Sequence, residues 1–408
     1  RSVFMLVLMT HNYPYGEGET FIEQELPYLL EEFPLIYIIP LFSQGKAKAV
    51  PEGVTILQMP VEKIFRKLYR SLIEPNTYTE IMRHPGTLLS LSKMKYLLGY
   101  TSYCNKLYHF LHSEIKKQAE WRNALFYTYW FHVQASALAQ LKINHFPELK
   151  IVSRAHGYDL YEEEYWPGYI PMREKTSSAF NHLFTVSEDG KRHLSQKFHR
   201  EKLPLSVAKL GTEQPEHQAA PSKKCHLTIV SCSHMVPEKR IERIIDAIAF
   251  LPKICDMQVS WNHLGGGPLY ENLYDLAESV IPSCVDWKIH GKMDNSQILR
   301  YYQNHPVDVF LSTSRTEGIP VSMMEAASCG IPLVATNVGG VREIVCEKNG
   351  VLIEKKANTK EIAEAIIEAK NKSKRKASFM KWQTHFSGKK NYQTFAKSLK
   401  SIHIQTIL

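Results

Sequence analysis

The sequence predicts an α/β protein built from two doubly wound, Rossmann-like domains. Three observations carry this. Short apolar runs alternate with helical stretches through almost all of the 408 residues, the pattern of parallel sheets covered by helices. One segment near the middle, Gly211–Lys224, is rich in small, polar and proline residues and has no apolar periodicity, so it reads as a boundary. The stretch Asp308–Val345 reads as strand, polar loop, helix, strand, glycine turn, helix, a unit that places a helix N-terminus at the carboxyl end of a strand.

In the first half, strands are expected at Val3–Thr10, Leu35–Pro40, Val54–Met59, Ala124–Trp130, Lys150–Ala155, His182–Val186 and Leu205–Leu210. In the second half they are expected at Leu227–Cys232, Gln258–Leu264, Val285–His290, Val307–Ser312, Leu333–Ala335 and Val351–Ile353. The helix Glu238–Leu251 carries Ile241, Ile244, Ile245 and Ile248 on one face. The expected organisation is a first domain over 1–211, a linker over 212–224 and a second domain over 225–380. A C-terminal helix over 381–408 returns toward the first domain. One region, 61–117, breaks the alternation and reads as helical, in pieces separated at Pro75 and Pro85. It interleaves Lys63, Arg66, Lys67, Arg70, Lys93 and Lys95 with Tyr69, Tyr96, Tyr100, Tyr103 and Phe110. Such helices suit a membrane interface, or equally a solvated helical pair packed on the sheet.

Composition narrows the function classes. Hydrophobic residues make up 44% and charged residues 22%, as in globular proteins, and no apolar run approaches the ~20 residues that span a bilayer. The N-terminal VFMLVLMT reads as a buried strand rather than a signal peptide. Seven cysteines, none in a C-x-x-C, argue against disulfide or zinc frameworks and fit a reducing cytoplasm. No structural metal and no cofactor is expected. The net charge of +9 comes with no nucleic-acid motif, so it is assigned to phosphorylated ligands or an anionic membrane surface at the inner face of a membrane.

Within Asp308–Val345, Glu317 precedes the helix and Glu325 lies inside it, with seven residues between them. Gly318 frees the turn, Pro320 suits the first helical position, and Gly330 and Pro332 mark the helix end. This geometry alone implies a pocket for a phosphorylated ligand, with one carboxylate at its mouth and one deeper. The string EGIPVSMMEAASCGIPLVATNVGG resembles the donor-site motif of the retaining glycosyltransferases of family 4, which share the GT-B fold. The resemblance implies two Rossmann-like domains with parallel sheets facing across a deep cleft. It implies that Glu317 contacts the donor sugar, that Glu325 holds the nucleotide ribose, and that backbone N–H groups around Gly318, Ile319, Pro320 and Val321 bind sugar or phosphate.

The remaining site residues come from the same resemblance. In VSCSHMVPEKR, Lys239 falls at the diphosphate lysine, while His234 stands where the family carries an arginine, a loss of one formal charge that Arg240 could offset. LGGGPL, Leu264–Leu269, reads mainly as fold signature, and His290 and Gly291 are expected near the nucleotide base. In the first domain, Gly16 and Gly18 match the family's first-loop glycines, and His156 in SRAHGYDL matches the histidine that faces the donor sugar. The catalytic set so expected is His156, Glu317 and Lys239. The chain is thus identified as a nucleotide-sugar-dependent transferase of cell-surface polysaccharide synthesis, with a saccharide or lipid-linked saccharide as acceptor. The alternatives are a sugar-nucleotide epimerase or phosphorylase on the same fold, or a catalytically silent nucleotide-binding subunit.

Overall fold

The structure, a computed structural model, describes residues 4–16, 19–60, 74–198 and 203–405. Gly18 and residues 61–73 of the expected helical insert, Lys63, Arg66, Lys67, Tyr69 and Arg70 among them, lie outside these.

The chain divides into two compact units, Arg1–Ala208 with Tyr392–Leu408, and Lys209–Asn391. The first is ordered β1 (Met5–Thr10), α1 (Thr20–Glu32), β2 (Leu35–Pro40), β3 (Val54–Ile56), α2 (Pro75–Arg83), α3 (Leu91–Lys117), β4 (Leu125–Thr128), α4 (Val133–Asn144), β5 (Lys150–Ala155), α5 (Arg173–Ala179), β6 (His182–Thr185), α6 (Glu188–Phe198) and β7 (Leu205–Val207). Its strands form one sheet in the order β3-β2-β1-β4-β5-β6-β7, parallel throughout. The second contains β8 (His226–Cys232), α7 (Ile241–Phe250), β9 (Gln258–Leu264), α8 (Tyr270–Val280), β10 (Asp286–Ile289), α9 (Asn295–Asn304), β11 (Val309–Ser312), α10 (Val321–Ser328), β12 (Leu333–Thr336), α11 (Val341–Ile344), β13 (Gly350–Ile353), α12 (Thr359–Ala369) and α13 (Lys372–His385). This sheet runs β10-β9-β8-β11-β12-β13, again parallel. The last helix, α14, spans Gly388–Gln405.

The strands are apolar because both faces of each sheet are covered. In β1 the side chains alternate. Val7 and Met9 enter a core with α3 and α4 residues such as Leu107 and Leu138. Leu6 and Leu8 enter a second core with Leu26 of α1 and Phe395, Ala396 and Leu399 of α14. In the second unit Ile241, Ile244, Ile245 and Ile248 are buried against Leu227, Ile229 and Trp261.

Two expectations are corrected, and one left open between two readings is narrowed. Residues 212–224 are not a free linker: they are bonded into the second unit, the Ala219 N–H to the Cys329 carbonyl at 2.9 Å and the Ser222 N–H to Asp308 Oδ1 at 3.1 Å. The helix expected to open at Glu238 begins at Ile241. Residues Pro237–Lys239 form one 3₁₀ turn, and Arg240 caps the helix at φ +49°. The basic, aromatic α3 is a packed helix. Leu97, Tyr100, Cys104, Leu107, Leu111 and Ile115 recur at helical spacing and are buried, and Tyr96, Tyr103, Tyr108 and Phe110 pack on the same core. Exposed apolar groups lie just before it and at its first residue, among them Met82, Leu88, Leu89 and Leu91. Among the described residues, no helix is long and apolar enough to cross a membrane.

Candidate functional site

In a doubly wound sheet, loops after two neighbouring strands diverge where the strand order reverses, and ligands bind in the crevice that this opens. In the second unit the reversal falls between β8 and β11. The loops after these two strands carry the most conspicuous pair of charges. Lys239 Nζ meets Glu317 Oε1 at 2.5 Å, with the glutamate 9% exposed. Both loops are fixed. Thr313 Oγ1 donates to the carbonyl oxygens of Lys239 and Arg240 at 3.2 and 2.8 Å, and the Arg315 N–H donates to the Glu238 carbonyl at 2.7 Å.

Arg240 has a different place from the one expected. Its guanidinium donates to the carbonyls of Thr313, Lys355 and Ser314 at 2.7, 2.9 and 3.2 Å. It laces the loops after β11 and β13 to the start of α7 and so is a brace rather than a spare charge for a ligand. His234 is exposed, on the loop that follows β8. That loop is pinned by the glycine run expected as a fold signature. A Cβ at Gly265 would overlap the Ser233 carbonyl, and one at Gly267 would come within 2.7 Å of the Met235 backbone. Both glycines have φ near +150°, which other residues rarely adopt.

Pro320, expected at the first helical position, is instead the N-cap of α10, and Val321 begins the helix. The first amides of α10, at Val321 and Ser322, have no intrahelical partner. The Gly318 carbonyl accepts from the Gly340 N–H at 2.8 Å, tying the turn to the TNVGG loop after β12. One turn into α10, Glu325 is 3% exposed. Burial alone raises its carboxyl to about 8, so it is mostly protonated at neutral pH. It acts electrostatically on Cys232, the last residue of β8, and on Tyr302. The helix ends at Ser328 with Cys329 as its C-cap, and Gly330 follows at φ +70°. His290 and Gly291 lie after β10, two strands from β8. His290 Nε2 is 2.9 Å from Asn262 Oδ1, and the Gly291 carbonyl accepts from Gly265 N–H at 2.9 Å. The structure thus brings together Lys239, Glu317, Gly318, Ile319, Pro320, Val321 and Glu325, sets Arg240 beside them as a brace, and leaves His290 and Gly291 at the flank. Among the described residues no group of three or more His, Cys, Asp or Glu is placed to hold a metal ion.

The first unit repeats the device. Its order reverses between β1 and β4. His11 follows β1, His132 lies just beyond β4, and His156 follows β5. His156 is 7% exposed and stacks on Tyr129 at 4.7 Å. Its Nδ1 lies 3.7 Å from Asp159 Oδ2, neither ring nitrogen has a hydrogen-bond partner among the described residues, and burial lowers its pKa. Asp159 accepts from the N–H groups of Phe131 and His156 at 2.8 and 2.7 Å. Gly16 sits at φ +61°, as its turn requires. The amides of this first loop are engaged internally: those of His11, Asn12 and Tyr13 donate to the Glu19 carboxylate at 3.0, 2.6 and 2.7 Å.

Sequence reading missed Glu19, His11 and His132. The signal was present in the pattern TH, WFH and AH, a histidine at or just after the end of three expected strands.

Residues 213–383 match the family model described as glycosyl transferases group 1. The O-antigen biosynthesis glycosyltransferase WbnH of Escherichia coli is 29% identical over 148 residues, 36% of this chain and 39% of that protein. The match therefore spans well under half of that relative's length. Two solved structures are similar over nearly the whole chain. The lipopolysaccharide outer core galactosyltransferase WaaB has TM-score 0.69 and 12% identity over 99% of this chain and 100% of its own. HepE of Anabaena, in complex with UDP and glucose, has TM-score 0.64 and 14% identity over 97% and 100%. At these identities the likeness is one of fold, the two-domain α/β GT-B fold.

Proposed function

We propose that this chain, whose residues 213–383 match the glycosyl transferases of group 1, moves a sugar from a nucleotide-sugar to an acceptor hydroxyl with retention of configuration, in the making of a cell-surface polysaccharide on a lipid-linked saccharide. The observation that carries the reading is the Lys239–Glu317 pair at the β8/β11 crevice, set beside the N-terminus of α10. Each partner would exchange the other for donor chemistry. A diphosphate takes Lys239 and the free α10 amides, which offset the charge of the leaving group. Glu317, released, accepts from hydroxyls of the donor sugar. Glu325, deeper, accepts from the two ribose hydroxyls once it ionises. His156, buried and neutral, has a ring nitrogen available to a sugar hydroxyl. The departing phosphate takes the acceptor proton as the new bond forms, so no enzyme nucleophile is required. The relatives' names, O-antigen and lipopolysaccharide enzymes, support the polysaccharide class. No metal enters the scheme.

The test is release of nucleoside diphosphate from a panel of nucleotide-sugars, with a lipid-extract acceptor present. Wild type should turn over at least one donor only when acceptor is added, and Glu317→Gln and Lys239→Ala should each lower the rate at least ~100-fold, the scale of losing one charge-stabilising contact. Acceptor-independent conversion to an epimer, or to free sugar phosphate with phosphate added, would overturn the reading.

A further inference from the structure

His156 has a buried neighbour that the scheme above leaves unused. Asp159 is 0% exposed. Its Oδ1 accepts the His156 N–H at 2.7 Å and its Oδ2 accepts the Phe131 N–H at 2.8 Å. One carboxylate thus ties the loop after β5 to the loop after β4. Each carboxylate oxygen can take a second hydrogen bond, and Oδ2 also lies 3.7 Å from Nδ1 of the His156 ring. That is too long for a hydrogen bond. Such bonds are often long in unliganded sites and shorten when a ligand arrives.

Both groups are held in place. Arg173, on α5, donates to the main-chain carbonyls of Asp159 and Phe131, the two loops that the carboxylate joins. The turn that carries Asp159 closes through the N–H groups of Leu160 and Tyr161, both bonded to the Gly157 carbonyl, at 3.0 and 2.9 Å. The imidazole lies nearly parallel to Tyr129 at 4.7 Å and tilted against Trp130 at 4.5 Å. These contacts set the plane of the ring, and what they leave open is which nitrogen carries the proton. Burial lowers the pKa of the ring, so at neutral pH it carries one. An aspartate bonded by two backbone amides is stabilised in its ionised form, and an ionised carboxylate only accepts. Asp159 therefore favours the proton on Nδ1. Nε2 is then bare and can accept but not donate. It is buried and has no partner among the described residues, so it calls for a donor from a ligand.

We propose that Asp159 is a positioning residue that holds His156 as its Nδ1–H tautomer, so that Nε2 accepts a hydrogen bond from a hydroxyl of the donor sugar. The inference rests on the transferase reading, which supplies the sugar. It deepens that reading by giving the imidazole one role, that of acceptor. It also places a requirement on the substrate, a hydroxyl at this point that donates.

The experiment is proton–nitrogen correlation NMR at neutral pH on the purified chain labelled at its histidine nitrogens, in wild type, Asp159→Asn and His156→Gln. The signals missing from His156→Gln belong to His156. Wild type should show Nδ1 protonated and Nε2 bare. Asp159→Asn should move the proton to Nε2 in about half of the molecules or more, since the partner of one ring nitrogen decides the state of the other. A proton on Nε2 in wild type, or the same tautomer in both proteins, overturns the proposal. Should Asp159→Asn fail to fold, the wild-type spectrum decides. The second arm is kinetic, with a nucleotide-sugar that wild type turns over. Asp159→Asn should lower kcat at least ~10-fold, the scale of one misplaced hydrogen bond. In the His156→Gln background it should lower kcat by less than about two-fold, because its effect passes through the ring. Equal losses in the two backgrounds would make Asp159 a tie between loops and nothing more, and would overturn the proposal. If wild type turns over no nucleotide-sugar, the transferase reading falls and the sugar hydroxyl with it, while the spectrum still decides whether Asp159 sets the tautomer.

Discussion

Glu325 illustrates how one side chain can record both fold and ligand. It is buried, and burial alone raises its carboxyl to about 8. In the unfolded chain a glutamate titrates near 4.3. The folded state therefore holds its proton more tightly, and this contribution to stability is full below about pH 4.3 and lost as pH rises through 8. Glu325→Gln, which mimics the protonated acid, should nearly match wild type at pH 4 and melt roughly 3 °C or more higher at pH 9 in a thermal denaturation series. A constant difference across that range would mean that the carboxyl is not held neutral. Ligand binding should act in the opposite sense. Hydroxyl donors favour the ionised form, so nucleotide binding at pH 7 should release a proton, read as a dependence of calorimetric heat on buffer ionisation enthalpy. Of these residues, the two glutamates and Lys239 were legible in the sequence, because their flanking glycine and proline pattern is distinctive. Their contact was not, since Lys239 and Glu317 meet only because β8 and β11 are neighbours in the sheet. Arg240 could not be read as a brace, because its partners are backbone carbonyls, which leave no mark on sequence.

At the level of elements, the strands were legible and their surroundings less so. A parallel strand buried on both faces is a continuous apolar run, and all thirteen expected strands are present, Leu35–Pro40, Lys150–Ala155 and Gln258–Leu264 with the expected bounds. Helix α3 was harder. Its lysines and tyrosines suit a membrane face or a core face equally well, and only packing against α4 decides for the core. The seating of α14 within the first unit depends on a buried pair that sequence does not advertise. Arg154 and Glu25 are 0% and 1% exposed and joined to each other, and the guanidinium lies 4.4 Å from the ring centre of Phe395 on α14. Removing one member of a buried pair leaves the other unpaired, which costs on the order of 3–5 kcal/mol. Arg154→Met should therefore destabilise the first unit by about that much in denaturant unfolding, and Arg154→Met with Glu25→Leu should recover most of it. Equal losses in the single and double variants would show that the pair is not coupled.

Over the whole molecule, one topological rule recurs. Each sheet reverses its strand order once beside its first strand, between β1 and β4 and between β8 and β11, and each reversal carries a candidate site. The two reversals differ in chemistry. The second unit offers a lysine, two acids and free helix amides, while the first offers rings and imidazoles beside exposed leucines. Those leucines, with the formal charge of +9, suit an anionic lipid surface. Leu89→Asp with Leu91→Asp should reduce co-sedimentation with phosphatidylglycerol vesicles several-fold and leave nucleotide binding unchanged. Equal sedimentation would remove the leucines from any membrane contact. The direct test of the donor site is calorimetric titration of the purified chain with a panel of nucleoside diphosphates and nucleotide-sugars, beside Lys239→Ala. At least one nucleotide should bind the wild type, and the lysine variant should bind it at least ~10-fold more weakly, as expected when a charge-assisted contact is lost. Binding of none of them, or equal binding by both proteins, would contradict a diphosphate site at Lys239 and Glu317.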